Sequence, residues 1–104
     1  MFISSLACRV RPEKEEEFLA SIDDLMERTR WLSGCFGYRL LADLGEGHAV
    51  TLVIEWADRN GFDRFLRSNE YRIMLGMRIL MEDEPRFTVD EVITRARIPT
   101  RERC

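Results

Sequence analysis

The chain has 104 residues, a formal net charge of −3 and a composition 45% apolar and 34% charged, which gives one folded domain and argues against a disordered chain. The net acidic balance offers nucleic acid no general attraction, and no apolar run approaches the ~20 residues of a membrane helix. Cys8, Cys35 and Cys104 are odd in number and form no CxxC pair; with a start, "MFISSLACRV", that lacks a basic segment and reaches Arg9 too soon for a leader core, they place the chain in a reducing cytoplasm.

In chain order, Phe2 to Arg11 is predicted as a first strand, closed by Pro12. "PEKEEEF" then opens a helix, because proline suits the first helical turn and glutamates favour its positive end. Phe18, Ile22, Leu25, Met26 and Thr29 fall at helical spacing and give that helix one buried face. Gly34 is its expected terminator. "CFGYRLLAD" is the second strand, with Phe36, Tyr38 and Leu40 on one side, and "LGEGH" is a connection of hairpin length.

"AVTLVIEWAD" is the third strand, with Val50, Leu52, Ile54 and Trp56 pointing one way and Thr51, Val53 and Glu55 the other. Both faces are largely apolar, so both need cover. One helical layer covers one face only, and a second copy of the chain is the simplest cover for the other. A homodimer through the sheet face is therefore expected.

"DRNGFDRFLRS" is a short helix with Phe62, Phe65 and Leu66 inward and Asp58 or Asn60 as N-cap. After a break near Ser68–Asn69, "NEYRIMLGMRILM" resumes helix before Pro85, and "RFTVDEVITRARI" gives a long fourth strand. The order β-α-β-β-α-β belongs to the ferredoxin-like α+β class. It forms one domain over residues 1–104, with a core at about 2–93 and an arginine-rich tail at 94–104. That tail reads as an exposed or partner-contacting end, because no aromatic residues interleave its arginines.

Chemistry-bearing patterns are few. The one histidine, His48, lies in the hairpin connection and reads as a solvated turn residue, so no metal site is expected. "GEGHAV" matches neither the dinucleotide nor the P-loop pattern, and no G-x-S-x-G elbow exists, so no cofactor is expected. The runs "EKEEE" and "EDE" are ordinary solvated charge. Glu55, mid-strand among apolar neighbours, either pairs across a dimer or acts as a base, and pairing is the simpler role.

What remains is aromatic and cationic: Trp56, Tyr38, Tyr71, Phe65, Arg72 and Arg78. Core packing explains each ring taken singly. Arg78 stands in a helix apolar on nearly every side, so its guanidinium is expected to be buried with a carboxylate, a carbonyl cluster or a bound anion. Met74, Met77 and Met81 suit a dimer contact or a plastic pocket wall.

"SGCFGYRLLAD" and "LVIEWADRNGFDRFLRSNEY" resemble the antibiotic biosynthesis monooxygenase family of the dimeric α/β-barrel superfamily. The likeness covers about residues 2–93. It implies a dimer with a pocket between sheet and helices, and in the cofactor-free members an electron-rich phenol or hydroquinone whose anion reduces O2. The protein then supplies a dry cleft, a proton acceptor and positive charge. By that resemblance Trp56 walls the pocket, Tyr71 or Tyr38 hydrogen-bonds the substrate, and Arg72 or Arg78 stabilises its anion. Leu52 and Phe62 stand where polyketide-type members carry asparagine and tyrosine, and Gly76 where they carry arginine. Leu6, Phe65 and Leu75 stand where haem-degrading members carry asparagine, tryptophan and histidine, which disfavours haem chemistry. Tyr38, Phe62, Phe65, Leu52 and Leu75 are thus the expected pocket lining. The alternative is a non-catalytic ligand-binding or structural dimer on the same scaffold.

Overall fold

A computed structural model describes residues 1–93. Its elements are β1 (Phe2–Arg9), α1 (Glu15–Thr29), β2 (Cys35–Ala42), β3 (Ala49–Trp56), α2 (Arg59–Leu66), α3 (Asn69–Gly76) and β4 (Arg86–Glu91). The sheet order is β2-β3-β1-β4 with every neighbouring pair antiparallel. This is the expected ferredoxin-like arrangement, with the helices layered on one face of the sheet.

The period-two pattern of β3 decides which face carries that layer. Leu52, Ile54 and Trp56 are buried, while Thr51, Val53 and Glu55 are half-buried on the opposite, open face. Register sets Ser4 and Leu6 of β1 beside Ile54 and Leu52. Onto this face α1 lays Phe18, Ile22, Leu25, Met26 and Thr29, the stripe its periodicity predicts. The Thr29 hydroxyl would be an orphan at that depth, and it donates instead to the Leu25 carbonyl at 2.8 Å. Burying this many aliphatic and aromatic side chains, at roughly 1.5–3 kcal/mol each, is the main force holding the two layers together.

The helix ends follow from local chemistry. Asp58 caps α2, its carboxylate accepting from the Gly61 amide at 3.0 Å. Ser68 caps α3, its hydroxyl accepting from the Tyr71 amide at 3.2 Å. The break between α2 and α3 therefore falls where the sequence predicts it.

Several expectations need correction. β1 ends at Arg9, and Val10 makes only an isolated bridge to Met81. Pro12–Lys14 form a 3-10 turn ahead of α1. Gly34 does not terminate α1, which ends at Thr29; it has φ +89°, and a Cβ there would stand 3.1 Å from the Gly61 Cα. Its role is to let the start of β2 approach the first turn of α2. The expected alternation of Phe36, Tyr38 and Leu40 is interrupted at Phe36. The register passes from Cys35↔Trp56 to Gly37↔Glu55, leaving Phe36 as the extra residue of a bulge. Leu66 does turn inward as expected, partly buried against the core. The far end of the predicted fourth strand and the arginine-rich tail, 94–104, lie outside the described residues.

Arg78 is the largest correction. After Gly76 the helix tightens into a 3-10 turn, Met77–Leu80, and only the stripe Met74, Met77 and Leu80 is buried. Nothing among the described residues lies outside this layer, so Ile73, Leu75 and Ile79 are exposed despite being apolar. Arg78 shares that outward side and its guanidinium meets Glu84 at 2.7 Å on the surface. An exposed pair of this kind contributes little to stability.

Candidate functional site

Between the sheet and the α2–α3 arm the chain assembles an unbroken series of rings. Phe2 stacks on Phe62 with centroids 6.4 Å apart, and Phe62 on Phe87 at 6.3 Å. Phe87 meets Tyr71 at 5.8 Å, Tyr71 meets Phe65 edge-on at 5.5 Å, and Phe65 meets Trp56 at 5.0 Å. Such spacings are those of favourable aromatic pairs. Each ring arrives by a separate route: Phe2, Trp56 and Phe87 from adjacent strands, Phe62 and Phe65 from one face of α2, and Tyr71 from the first turn of α3.

The expected site residues divide sharply within this series. Trp56 and Phe65 are 0% exposed, with Leu52 and Phe62 buried beside them. The Trp56 indole N–H donates to Ser4 Oγ at 3.1 Å, so the polar end of the ring is satisfied inside the fold. Tyr71 is half-buried at the rim, and among the described residues its hydroxyl has no hydrogen-bond partner. Arg72, next in sequence, is exposed and makes no ion pair among the described residues. Leu75 faces outward, and Arg78 is engaged by Glu84. Trp56, Phe62, Phe65, Leu52 and Tyr71 are thus brought together. Tyr38, Leu75, Arg72 and Arg78 are not part of that packed group.

Tyr38 belongs to a second, open region. It lines a concavity of about 440 Å³ with Arg30, Trp31, Cys35, Phe36 and Gly37, at the β2 edge of the sheet. Arg30 lies over the Trp31 ring, 5.4 Å from its centroid. The sequence reading missed this grouping, and it missed Ser4 as the partner of Trp56. The adjacent "FG" of β2 was the available signal, since a glycine inside a strand often marks a bulge.

Both thiols are half-buried against the core, and Cys8 also lines a concavity with Arg9, Asp43, Glu46 and Arg86. Burial pushes Cys8 up to about 11 and also raises Cys35, the latter partly offset by a hydrogen bond with the Gly37 backbone. Both are free cysteines, and burial disfavours the thiolate in each. Glu55 is half-buried on the open sheet face with no ion pair among the described residues. No cluster of three or more metal-ligating side chains occurs among the described residues, and no described helix is long and apolar enough to cross a membrane.

Comparison with known proteins gives these features a context. The profile of the family described as antibiotic biosynthesis monooxygenase matches residues 1–74. The curated "Putative monooxygenase YcnE" of Bacillus subtilis (strain 168) is 31% identical over 58 residues, 56% of this chain and 61% of that protein. The match therefore spans about three fifths of the length of that curated relative. A conserved protein from Methanosarcina mazei Go1 superposes with a TM-score of 0.78 and 25% identity, covering 86% of this chain and 91% of that one. SnoaB, a cofactor-independent oxygenase from Streptomyces nogalater, superposes with a TM-score of 0.79 and 14% identity, covering 90% of this chain and 94% of that one. At that identity the likeness to SnoaB is one of fold.

Proposed function

The chain belongs to the antibiotic biosynthesis monooxygenase family, and from that premise we propose that it is a cofactor-independent monooxygenase-type protein acting on a small aromatic or quinol-type compound with O2. The observation that carries this reading is the Tyr71 phenol, which links Phe87 to Phe65 within an unbroken series of rings and has a hydroxyl without a partner among the described residues. A phenol at the rim of a ring-lined, water-poor region can hydrogen-bond an incoming phenol or hydroquinone as that compound loses its proton. Arg72, or Arg78 drawn from its exposed pair with Glu84, then holds the resulting anion. Trp56, Phe62, Phe65 and Leu52 supply the apolar wall. The substrate anion itself reduces O2, so the protein's part is orientation, dryness and charge.

The second copy belongs to the same proposal. Ile3, Val53 and Leu41 lie on the face of the sheet opposite the helices, and a partner laid face to face would remove them from water. Sedimentation at working concentration is expected to give a dimer; a stable single-copy particle rejects this part. The setting is a reducing cytoplasm, in which Cys8 and Cys35 remain thiols.

A second reading rests on the closure around Trp56. Its ring is fully buried and its N–H is satisfied by Ser4, which favours a binding or structural dimer without turnover. Oxygen uptake with a panel of phenols, hydroquinones and naphthols separates the two. The enzyme reading expects uptake that falls in Tyr71→Phe and Arg72→Gln. Binding without uptake across the whole panel selects the non-catalytic reading.

A further inference from the structure

We propose that the concavity at the β2 edge, formed by Trp31, Phe36 and Tyr38 around Gly37 with Arg30 above, is a binding site for planar aromatic carboxylates, separate from the ring series around Trp56. The inference does not depend on turnover.

The rings are displayed rather than packed. Trp31 is 78% exposed, Phe36 65% and Tyr38 40%, all on the wall of one concavity of about 440 Å³. That volume lies in the range of small-molecule sites. Three large rings left in water around one hollow are costly unless something covers them.

The backbone is bent to produce the arrangement. The bulge at Phe36 interrupts the alternation of β2, and Phe36 and Tyr38 both line the hollow. Gly37, at φ +154°, sits between them, and the place where a Cβ would stand has no atom within 4 Å. A flat ligand can therefore pass over Gly37 between the two rings. A side chain at 37 would both strain the backbone and fill that passage.

Charge selects the ligand. The Arg30 guanidinium lies over Trp31 and also meets Glu27 at 3.4 Å, an exposed i,i+3 pair. Exposed pairs of this kind are weak, so a ligand carboxylate can take the guanidinium from Glu27 while the ligand ring stacks on Phe36 or Tyr38. Arg39 lines an adjoining depression together with Phe36 and Glu55. A neutral ring system would gain the stacking without the ion pair, and a cation would be repelled by Arg30.

The test is a titration of the full chain with 2-naphthoate, followed by amide and indole nuclear magnetic resonance shifts. Saturable shifts are expected at the Trp31 indole N–H and the Gly37 amide. Phe36→Ala and Arg30→Gln, both at exposed positions, are each expected to weaken binding about fivefold, the loss of one aromatic or charge contact. 2-Naphthalenemethanol is expected to bind more weakly by a similar factor. Shifts that do not saturate, that centre on the Tyr71 rim, or that are unchanged from the parent chain in both variants overturn the proposal. So does a Trp31 indole signal that moves with protein concentration and not with ligand, which would show that a second copy covers the hollow.

Discussion

Two aromatic regions meet at Cys35, which pairs with Trp56 across the sheet and packs on the core while also lining the open hollow. On the inner side Trp56 is 0% exposed and hydrogen-bonded to Ser4; on the outer side Trp31 is 78% exposed and covered only by an arginine. The residue types are the same. Trp56 ends the buried face of a central strand beneath α2, whereas Trp31 follows the end of α1, beyond the reach of the helical layer. An aromatic residue thus signals a core or a surface site only through the layer above it.

The contrast is broken most directly at the tryptophans. Trp56→Ala opens a large cavity and is expected to cost about 3–5 kcal/mol of unfolding free energy, whereas Trp31→Ala is expected to cost about 0.5 kcal/mol or less. Urea unfolding of both variants checks this, and equal losses would erase the distinction. Ser4→Ala leaves the buried indole N–H without its acceptor, with an expected loss of about 1–3 kcal/mol. Introduced on a Trp56→Phe background, where that N–H is gone, the same change is expected to cost less, and a double-mutant cycle reads the difference.

Asp58→Ala removes the cap of the helix that delivers Phe62 and Phe65. It is expected to cost about 1 kcal/mol and to leave 2-naphthoate binding at the β2 edge unchanged. A large change in that binding would mean that the two regions are mechanically coupled.

Cys35 gives the smallest and sharpest comparison. Burial raises its thiol above the ordinary value, so at a given mildly alkaline pH a smaller fraction is thiolate than in an unstructured peptide. Alkylation at Cys35, followed by peptide mass spectrometry, should be slower than for an unstructured peptide at pH 8. The rise of its rate with pH should be displaced to higher pH than the peptide's, and 2-naphthoate should slow it further. A rate at pH 8 equal to the peptide's would place Cys35 in water rather than at the boundary.

The stripe of α1, the alternation of β3 and the chain order of strands and helices were legible in the sequence, because each repeats at the period of one element's own geometry. The break at Ser68 was legible for a similar reason, since capping chemistry is local. The surroundings of Arg78 were not. An apolar run reads as buried, yet the 3-10 turn after Gly76 and the lack of a further layer among the described residues leave one stripe inside and Arg78 outside with Glu84.

The sequence by itself determined a ferredoxin-like α+β domain and the residues that make its core, since hydrophobic periodicity and turn chemistry act over a few neighbouring positions. Only the tertiary structure decided that Ser4 holds Trp56, that Tyr71 rims the ring series, and that a bulge at Phe36 breaks the alternation of β2. Those outcomes depend on strand register and on which surfaces the single helical layer covers. Both are set by contacts between separate segments, such as Ser4 beside Ile54 and Cys35 beside Trp56, over which sequence spacing carries no geometric constraint.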